Sequence, residues 1–365
     1  MVEYIKELIG DVGVLLDESV FVVLPFFICL ALVQLLARLA PRLKMIDLPN
    51  DRKQHEGATP LVGGVAIFVA ITISLTLLSL NAASLLLIVL TSGLVILGLL
   101  DDRHDLSAKL RLFVQLVIAL TMVYTAGVRI DSVGNLFGFG AVTFPPVVAT
   151  LLTAIFAIGV INAINMIDGV DGLAGSLLFV SYCTLAFVAI SHAEFTIAKA
   201  LFICSGTLLA FLCFNSRLFV RRAEIFMGDA GSMALGFILL WFLARLSQEP
   251  IGALSPVAAG WIFGVPLLDT VVVILTRIRE RRSPMSAGRD HLHHKLLDSN
   301  ISVNATVLTM TLLHALMACA GVWLNDNRKY EPWFFGAFVL LVAVDFVFRP
   351  RLIQALVRSM SPERS

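Results

Sequence analysis

Charged residues are scarce in this sequence. Asp, Glu, Lys and Arg make up 15% of its 365 residues, against roughly 25% in a typical soluble domain. Hydrophobic residues make up 58%, and the mean hydropathy is +0.92. These values exclude a water-soluble globular class. The net charge of +1 also gives no basic surface of the kind that binds nucleic acid, so no nucleic-acid partner is expected.

Two further features are missing, namely close cysteine pairs and a basic N-terminus. The five cysteines are spread singly through apolar stretches, without the spacing of a metal site, so we interpret them as small buried side chains. The first 19 residues are acidic in character and lack the basic start of a cleavable signal peptide. We therefore expect the first apolar stretch to remain in the mature protein.

Long apolar runs are abundant, and each is long enough to cross about 30 Å of hydrocarbon. Only helices and closed barrels satisfy the backbone in lipid, and these runs are too long for barrel strands. The sequence therefore predicts an all-α, polytopic membrane helix bundle of about eleven transmembrane helices, forming one domain over residues 1–365. The runs lie at residues 20–39, 61–79, 83–100, 109–127, 144–164, 172–190, 197–214, 228–246, 254–276, 305–324 and 333–348.

The distribution of Lys and Arg predicts the orientation of these spans. The connections after odd-numbered spans, together with the C-terminal tail, hold 21 of the 27 basic residues. By the positive-inside rule these connections are cytoplasmic, so the N-terminus lies outside and the C-terminus inside. The connection at 128–143 then lies outside, and its GNLFGFG sequence predicts a turn-rich excursion or a short hairpin.

Acidic side chains gather in three of the predicted inside segments. Asp101 and Asp102 directly follow an apolar run, and two adjacent acids there favour a bound cation or a raised pKa. Residues 162–172 (NAINMIDGVDG) contain several Asn and Asp residues and no basic residue, and such uncompensated acids are costly near a membrane. Asp229 begins the eighth span between small residues, where a helix N-terminus also favours phosphate. Solvated helix ends and N-capping are the simpler alternatives.

Histidines and basic residues mark two more inside segments. Residues 289–294 (RDHLHH) hold three histidines that suit metal, proton or phosphate chemistry, and Arg289 suits a bidentate phosphate contact. Residues 49–57 contain Lys53, which suits an anionic headgroup, although a basic loop beside an anionic leaflet needs no further role. We expect the connections near 40–60, 101–108, 165–171, 215–227 and 277–304 to form one site.

Carboxylates, basic side chains and histidines without an evident nucleophilic Ser or Cys suit metal-assisted chemistry on phosphates. Such a site could meet a water-soluble nucleotide and a lipid phosphate together. A cation-coupled transporter would also use intramembrane acids, but transporter sites lie near the midplane and often within inverted repeats, and none is visible here.

Four motifs in this order resemble the polyprenyl-phosphate N-acetylhexosamine-1-phosphate transferases. They are Asp101-Asp102, NAINMIDGVDGLAG at 162–175, FMGDAGS at 226–232 and RDHLHH at 289–294. The PNDRKQHEGATPLVGG segment at 49–64 is similar to that of the N-acetylglucosamine branch. The phospho-MurNAc-pentapeptide branch has a run of consecutive histidines, which Leu292 interrupts here, and this difference also favours the N-acetylglucosamine branch.

The resemblance implies a reaction, a metal and a location. UDP-GlcNAc and undecaprenyl phosphate would give undecaprenyl-diphospho-GlcNAc and UMP, with Mg²⁺ or Mn²⁺. This step would initiate an O-antigen or enterobacterial common antigen type of envelope glycan at the cytoplasmic face of the bacterial inner membrane, with the N-terminus periplasmic. Another UDP-N-acetylhexosamine and a homo-oligomer stay open.

The resemblance also implies roles for single residues. Asp229 corresponds to the main metal ligand with Asn165 as its neighbour, and Asp101 and Asp102 to the catalytic acidic pair that handles the lipid phosphate. Substrate-binding roles are expected for Asp168, Asp171, Asn162, Arg289, His291, His293, His294, Lys53 and Lys109. Which of Asp101 and Asp102 serves as base, and whether attack is direct or covalent, stay open. We favour direct attack because a phosphate monoester is already anionic.

Overall fold

The computed structural model describes residues 2–47, 58–283 and 288–360, and these form a helical membrane bundle. The predicted apolar runs lie in helices, with the run 254–276 divided between two, so the predicted fold class is confirmed. The helices are α1 Val2–Leu43, α2 Gly63–Leu78, α3 Ala82–His104, α4 Ala108–Thr121, α5 Pro146–Ile167, α6 Leu173–Ser191, α7 Phe195–Asn215, α8 Gly228–Ser247, α9 Pro256–Ile262, α10 Gly264–Arg279, α11 Leu292–Asp298, α12 Val303–Asp326 and α13 Glu331–Met360.

Nine of the described helices are long and apolar enough to cross a membrane. The pair α9 and α10, bent by 86°, makes ten if it counts as one broken span, and α2 is a shorter apolar helix of 16 residues. A π-helical turn, Met122–Ala126, extends α4, and a 3₁₀ turn, Arg328–Tyr330, precedes α13. The described strands, β1 Ile46–Asp47 and β2 Thr59–Pro60, form one short antiparallel pair. These elements agree with the expected number of about eleven spans.

The bend between α9 and α10 was not predicted, because residues 254–276 read as one continuous apolar run. Pro266 has no amide hydrogen to donate to the carbonyl of Ile262, so the helical ladder is interrupted there. The Ser181 hydroxyl of α6 donates to that carbonyl instead (3.1 Å), and the amide of Val265 donates to Nδ1 of His314 on α12 (3.4 Å). Neighbouring helices therefore satisfy the groups that the bend exposes.

The hairpin predicted at 128–143 is confirmed. The amide of Val133 donates to the carbonyl of Val142 (3.1 Å), and the amide of Val142 donates to the carbonyl of Gly134 (2.9 Å). The Gln248 side chain accepts the amides of Asp131 and Ser132, which ties the hairpin to the end of α8. This end of the bundle lies opposite the acidic motifs.

Helix α8 is the most enclosed of the described candidate spans, since 89% of its 18-residue apolar stretch is buried. It approaches α2 and α3 closely, because a Cβ placed on Gly64 would collide with the backbone of Gly231, and one on Gly98 with the backbone of Ala230. The amides of Gly63 and Gly64 also donate to the carbonyls of Phe226 and Met227 (both 2.9 Å), just before α8 begins. The N-terminus of α8 is thus held in a fixed position.

Replacing Gly64 with alanine should destabilise the protein, because the colliding atoms are backbone and cannot rotate away. Overpacking of this kind typically costs about 1–3 kcal/mol, and occasionally more. Gly159 on α5 is the matched control, since no atom of the described structure lies within 4 Å of a Cβ placed there. Thermal unfolding in detergent should show a lower melting temperature for Gly64→Ala than for Gly159→Ala, and equal melting temperatures would contradict this packing.

Candidate active site

The site is built around the first turn of α8. Gly228 has a left-handed backbone (φ +71°) and begins the helix, so Asp229 lies in its first turn. The Asn165 side-chain amide, from the end of α5, donates to Oδ1 of Asp229 (2.7 Å) and to the hydroxyl of Ser232 (2.9 Å). The two residues expected at the metal therefore lie side by side, although they are far apart in the sequence.

Asp102 lies at the end of α3 and faces the same turn. Its two carboxylate oxygens each accept the backbone amide of Asp229 at 3.1 Å. A negative charge at a helix N-terminus is stabilised by the unpaired amides and the helix dipole. The left-handed backbone of Gly228 favours glycine there, and a Cβ at this position would lie 2.8 Å from Oδ2 of Asp102.

Asp101 has different surroundings from its neighbour. Its carboxylate is buried and accepts Nη1 of Arg111 (2.6 Å) and the amide of Leu106 (2.8 Å). The sequence suggested a cation or a proton between the two acids. In the structure Arg111 of α4 neutralises Asp101, and the carboxylate of Asp102 accepts a backbone amide at the N-terminus of α8.

Asp168 and Asp171 extend the acidic surface along the α5–α6 connection. Burial, followed by the charges of Asp229, Asp102 and Asp171, raises the pKa of Asp168 well above its ordinary value. Asp171 pairs with Nε of Arg217 (2.7 Å), in the connection between α7 and α8. The sequence interpretation that these acids are uncompensated was therefore wrong for Asp171, because its partner comes from a distant segment.

Asn162 lies one helical turn before Asn165. Its side-chain amide donates to Oε1 of Gln115 on α4 (2.7 Å) and to the carbonyl of Ile158 (2.8 Å). Gln115 is itself fully buried. These bonds join α4 to α5 directly beneath the site, and the expected contact of Asn162 with substrate stays a prediction.

Residues 288–294 form the histidine segment, and it packs against the α5–α6 connection. A Cβ placed on Gly169 would lie 3.3 Å from Nε2 of His293. The rings of His291 and His293 are stacked with centroids 5.7 Å apart, and the ring centroids of His293 and His294 lie 4.2 Å apart. The fold thus brings the histidines and the acidic connection together, as the sequence predicted for a single site.

Two of the histidines have polar atoms that lack a protein partner. His293 is fully buried, and neither of its ring nitrogens has a hydrogen bond within the described residues. Nδ1 of His294 is buried and unpaired in the same way. Burial, followed by the His294 charge, lowers the pKa of His293 to about 3, and burial followed by the Arg289 charge lowers the pKa of His294. Both rings are therefore neutral near pH 7, and each can donate one hydrogen bond and accept another.

Acid should destabilise the protein in part through His293. A histidine of the unfolded chain takes up a proton below its ordinary pKa of 6.5, whereas folded His293 does so only near 3. The unfolded state therefore binds more protons in this window, and the free energy of unfolding falls as the pH drops from 6.5, by about 1 kcal/mol at pH 5.5.

The variant His293→Gln should lose less stability than the wild type between pH 7 and pH 5.5. The exposed His104 supplies the control, and His104→Gln should retain the acid sensitivity of the wild type. Melting temperatures at both pH values provide the measurement. Equal acid sensitivity of wild type and His293→Gln would show that His293 is not the titrating group.

Two other predicted substrate residues, Arg289 and Lys109, occupy more open positions. Arg289 is half exposed and donates to Oδ1 of Asp298 (2.7 Å). Lys109 is exposed in the first turn of α4, two residues before Arg111. Lys53 lies outside the described residues. Contacts of these three with substrate stay predictions.

Asp269 and Arg349 were missed as site residues by sequence reasoning. Asp269 is buried on α10 and accepts Nδ1 of His291 (2.8 Å), and Arg349 of α13 pairs with Asp269 (3.0 Å). A signal was present for Asp269, which is a single acid within the apolar run LLDTVVV. Arg349 follows the last apolar run and looks like any basic residue at a membrane boundary.

The donors around Asp229 are of the type that a magnesium ion prefers. They are carboxylate and amide oxygens from Asp102, Asp229 and Asn165. The negatively charged carboxylates around Asp168 also favour a bound cation. Within the described residues, no three His, Cys, Asp or Glu side chains form a ready-made metal group. Magnesium commonly uses only one or two carboxylates together with substrate phosphates and water, so this donor set fits it.

Residues 82–247 match the model of glycosyl transferase family 4. The chain is also similar to bacterial proteins named undecaprenyl-phosphate alpha-N-acetylglucosaminyl 1-phosphate transferase. The Yersinia pestis protein is 32% identical over 329 residues, which is 90% of each chain. The Salmonella typhi protein is 34% identical over 88% of this chain and 87% of its own. The Haemophilus influenzae protein is 34% identical over 83% of this chain and 86% of its own.

Proposed function

This chain belongs to glycosyl transferase family 4, and from that membership we propose that it transfers N-acetylglucosamine 1-phosphate from UDP-GlcNAc to undecaprenyl phosphate. The products are undecaprenyl-diphospho-GlcNAc and UMP. Its assignment as a membrane phosphoglycosyl transferase rests on the relatives and on the helical bundle. The observation that best supports the finer proposal is the meeting of Asp102, Asn165 and Asp229 at the α8 N-terminus.

The proposed chemistry is a direct displacement at phosphorus. A phosphate oxygen of undecaprenyl phosphate attacks the β-phosphorus of UDP-GlcNAc, the bond to the bridging oxygen breaks, and UMP leaves with that oxygen. Asp102 is the proposed group that accepts a proton if the lipid phosphate arrives as a monoanion. Asp101 is engaged by Arg111 and positions its neighbour.

Asp229 and Asn165 are the proposed holders of Mg²⁺ or Mn²⁺, with Asp102 beside them. When bound, the ion neutralises charge on the phosphate oxygens. The amides at the start of α8 point toward the same place and favour an anionic group there. Displacement of phosphoryl groups depends mainly on such positioning and charge stabilisation.

The histidine segment is the proposed support for the sugar diphosphate. An unpaired buried polar group costs about 1–3 kcal/mol, so His293 gains by meeting a polar ligand. Its neutral ring can donate to a phosphate oxygen or exchange hydrogen bonds with a sugar hydroxyl. Asp168 and Asp171, on the connection that His293 touches, are proposed to contact the nucleotide.

We place the site at the cytoplasmic face of the bacterial inner membrane, because 21 of 27 basic residues flank the predicted inside ends and UDP-sugars are water soluble. The proposed biological role is initiation of an O-antigen or enterobacterial common antigen type of glycan. Residues facing the acceptor's phosphate would then lie at the level of the lipid headgroups.

Purified protein supplied with undecaprenyl phosphate, UDP-GlcNAc and Mg²⁺ should release UMP. Omission of either substrate, or chelation of the metal, should stop the release, and Mg²⁺ or Mn²⁺ should restore it. UDP-GalNAc in place of UDP-GlcNAc tests the donor, and its release rate should be lower. No UMP from the complete mixture would overturn the proposed function.

A further inference from the structure

We propose that Arg349 is a positioning residue for sugar-nucleotide binding, acting on the histidine segment through the buried carboxylate of Asp269. This inference rests on the proposed role of that segment. It assigns a function to the inner end of the last helix, which lies outside the 82–247 stretch matched by the family model.

Asp269 is the point at which the histidine segment is fixed to the bundle. Its side chain is 2% exposed. Oδ2 accepts Nδ1 of His291 at 2.8 Å, and Oδ1 accepts the amide of Leu292 at 2.9 Å. One carboxylate therefore holds both the ring of His291 and the first residue of α11.

Arg349 completes this arrangement from α13. Its Nη1 lies 3.0 Å from Oδ1 of Asp269 and donates to the carbonyl of Asp290 at 3.1 Å. Its Nε and Nη2 bind the two carboxylate oxygens of Asp345, one turn earlier (3.0 and 2.6 Å). The planar guanidinium is thus fixed by Asp345. It contacts both groups that hold His291, namely the carboxylate of Asp269 and the backbone carbonyl of Asp290.

The rest of α13 offers little that would hold the segment. Only 6% of its 18-residue apolar stretch is buried, and side chains such as Leu340 and Val347 are well exposed. Arg349 is an exception, with a side chain only 9% exposed. Burial of a guanidinium is costly unless it is paired, so this enclosed network indicates a role beyond that of a boundary charge.

The position of His291 is passed on to His293. Because Asp269 accepts the Nδ1 proton, the tautomer of His291 and the plane of its ring are both set. The ring of His293 stacks on it at an interplanar angle of 13°, and His293 has no hydrogen bond of its own within the described structure. Loosening His291 should therefore displace His293, which faces Gly169 in the site.

The alternative is that Arg349 only anchors the helix at the membrane surface, a role that would suit an exposed residue such as Arg351. Arg351 lies two residues further on the same helix, is exposed, and stacks over Phe348. The pair Arg349→Gln and Arg351→Gln therefore removes the same charge from the same helix end. Only the first variant removes contacts with Asp269 and Asp290.

The experiment compares steady-state kinetics of UMP release for these two variants. Arg349→Gln should raise KM for UDP-GlcNAc roughly 10-fold or more, because small displacements of a binding group are costly. Its kcat and its KM for undecaprenyl phosphate should stay within about twofold of wild type. Arg351→Gln should match wild type in all three values. Equal KM for UDP-GlcNAc in both variants would overturn the inference.

Two further variants keep the test decisive if Arg349→Gln folds poorly. Arg349→Lys retains the charge but not the planar fork, and should give an intermediate rise in KM for UDP-GlcNAc. The double variant Asp269→Asn, Arg349→Gln removes both buried charges, and its KM should stay within about twofold of that of Asp269→Asn alone, because Arg349 acts mainly through Asp269. Independent, multiplying effects would contradict this pathway.

Failure of the proposed function can be separated from failure of this inference. If wild type releases no UMP, the function is wrong and kinetics say nothing about Arg349. Amide hydrogen exchange without substrate then supplies the readout. Residues 288–298 should exchange faster in Arg349→Gln than in Arg351→Gln, and identical exchange would overturn the positioning role.

Discussion

Replacing Asp229 with asparagine is expected to lower kcat for UMP release by about 10³-fold. The side chain keeps its size, and Asn165 can still donate to its oxygen, so the fold should be retained. What is lost is the negative charge beside Asp102, where the proposed metal ion and the phosphates would meet. The measurement is UMP release at saturating UDP-GlcNAc and undecaprenyl phosphate, with the melting temperature recorded in parallel.

Asp131→Asn is the matched control for this change. Asp131 lies in the hairpin at the opposite end of the bundle, half exposed and paired with Arg129. The same chemical change there should leave kcat within about twofold of wild type. Full activity of Asp229→Asn would show that Asp229 does not hold a metal ion needed for catalysis, even if the protein proved to be a transferase.

The adjacent acids should separate into a catalytic and a structural residue. Asp102→Asn is expected to lower kcat about 100-fold with little change in melting temperature, because asparagine also accepts helix N-terminal amides well. Asp101→Asn should instead lower the free energy of unfolding by about 2–4 kcal/mol. That value lies near the lower end for breaking a buried ion pair, since Arg111 is still partly exposed.

Thermal unfolding and UMP release of both variants supply the measurement. A stable but inactive Asp101→Asn, together with an active Asp102→Asn, would reverse the assignment. Arg111→Gln is a useful companion, because it should destabilise the protein in the same way as Asp101→Asn. Unchanged stability of both would show that the ion pair between α3 and α4 is not required.

The helices and the composition of the site could be predicted from sequence for a simple reason. Apolar runs in lipid must satisfy their backbone groups internally, so these runs form helices, and only the run 254–276 is divided into two within the described residues. The order of the spans also predicted that Asp101, Asp168, Asp229 and the histidines lie at one end. The structure brings these residues together, and their service in one site stays a prediction.

The remainder depended on contacts between distant segments. Nothing local to Asp171 indicates Arg217 as its partner, and nothing in the run 254–276 except Gly264 and Pro266 indicates the bend. Asp269 was recognisable as an acid within an apolar run, yet its partners His291 and Arg349 come from two other elements. Pairings of this kind are set by tertiary packing, which a single sequence does not contain.

The transfer of label from the donor tests the central claim most directly. UDP-GlcNAc carrying ³²P in its β-phosphate is incubated with purified wild-type protein, undecaprenyl phosphate and Mg²⁺, and the lipid is then extracted. The label should enter the lipid fraction in equal amount to the unlabelled UMP that is released. Label that stays in the aqueous phase, or UMP formed without labelled lipid, would contradict transfer of sugar phosphate to the polyprenol.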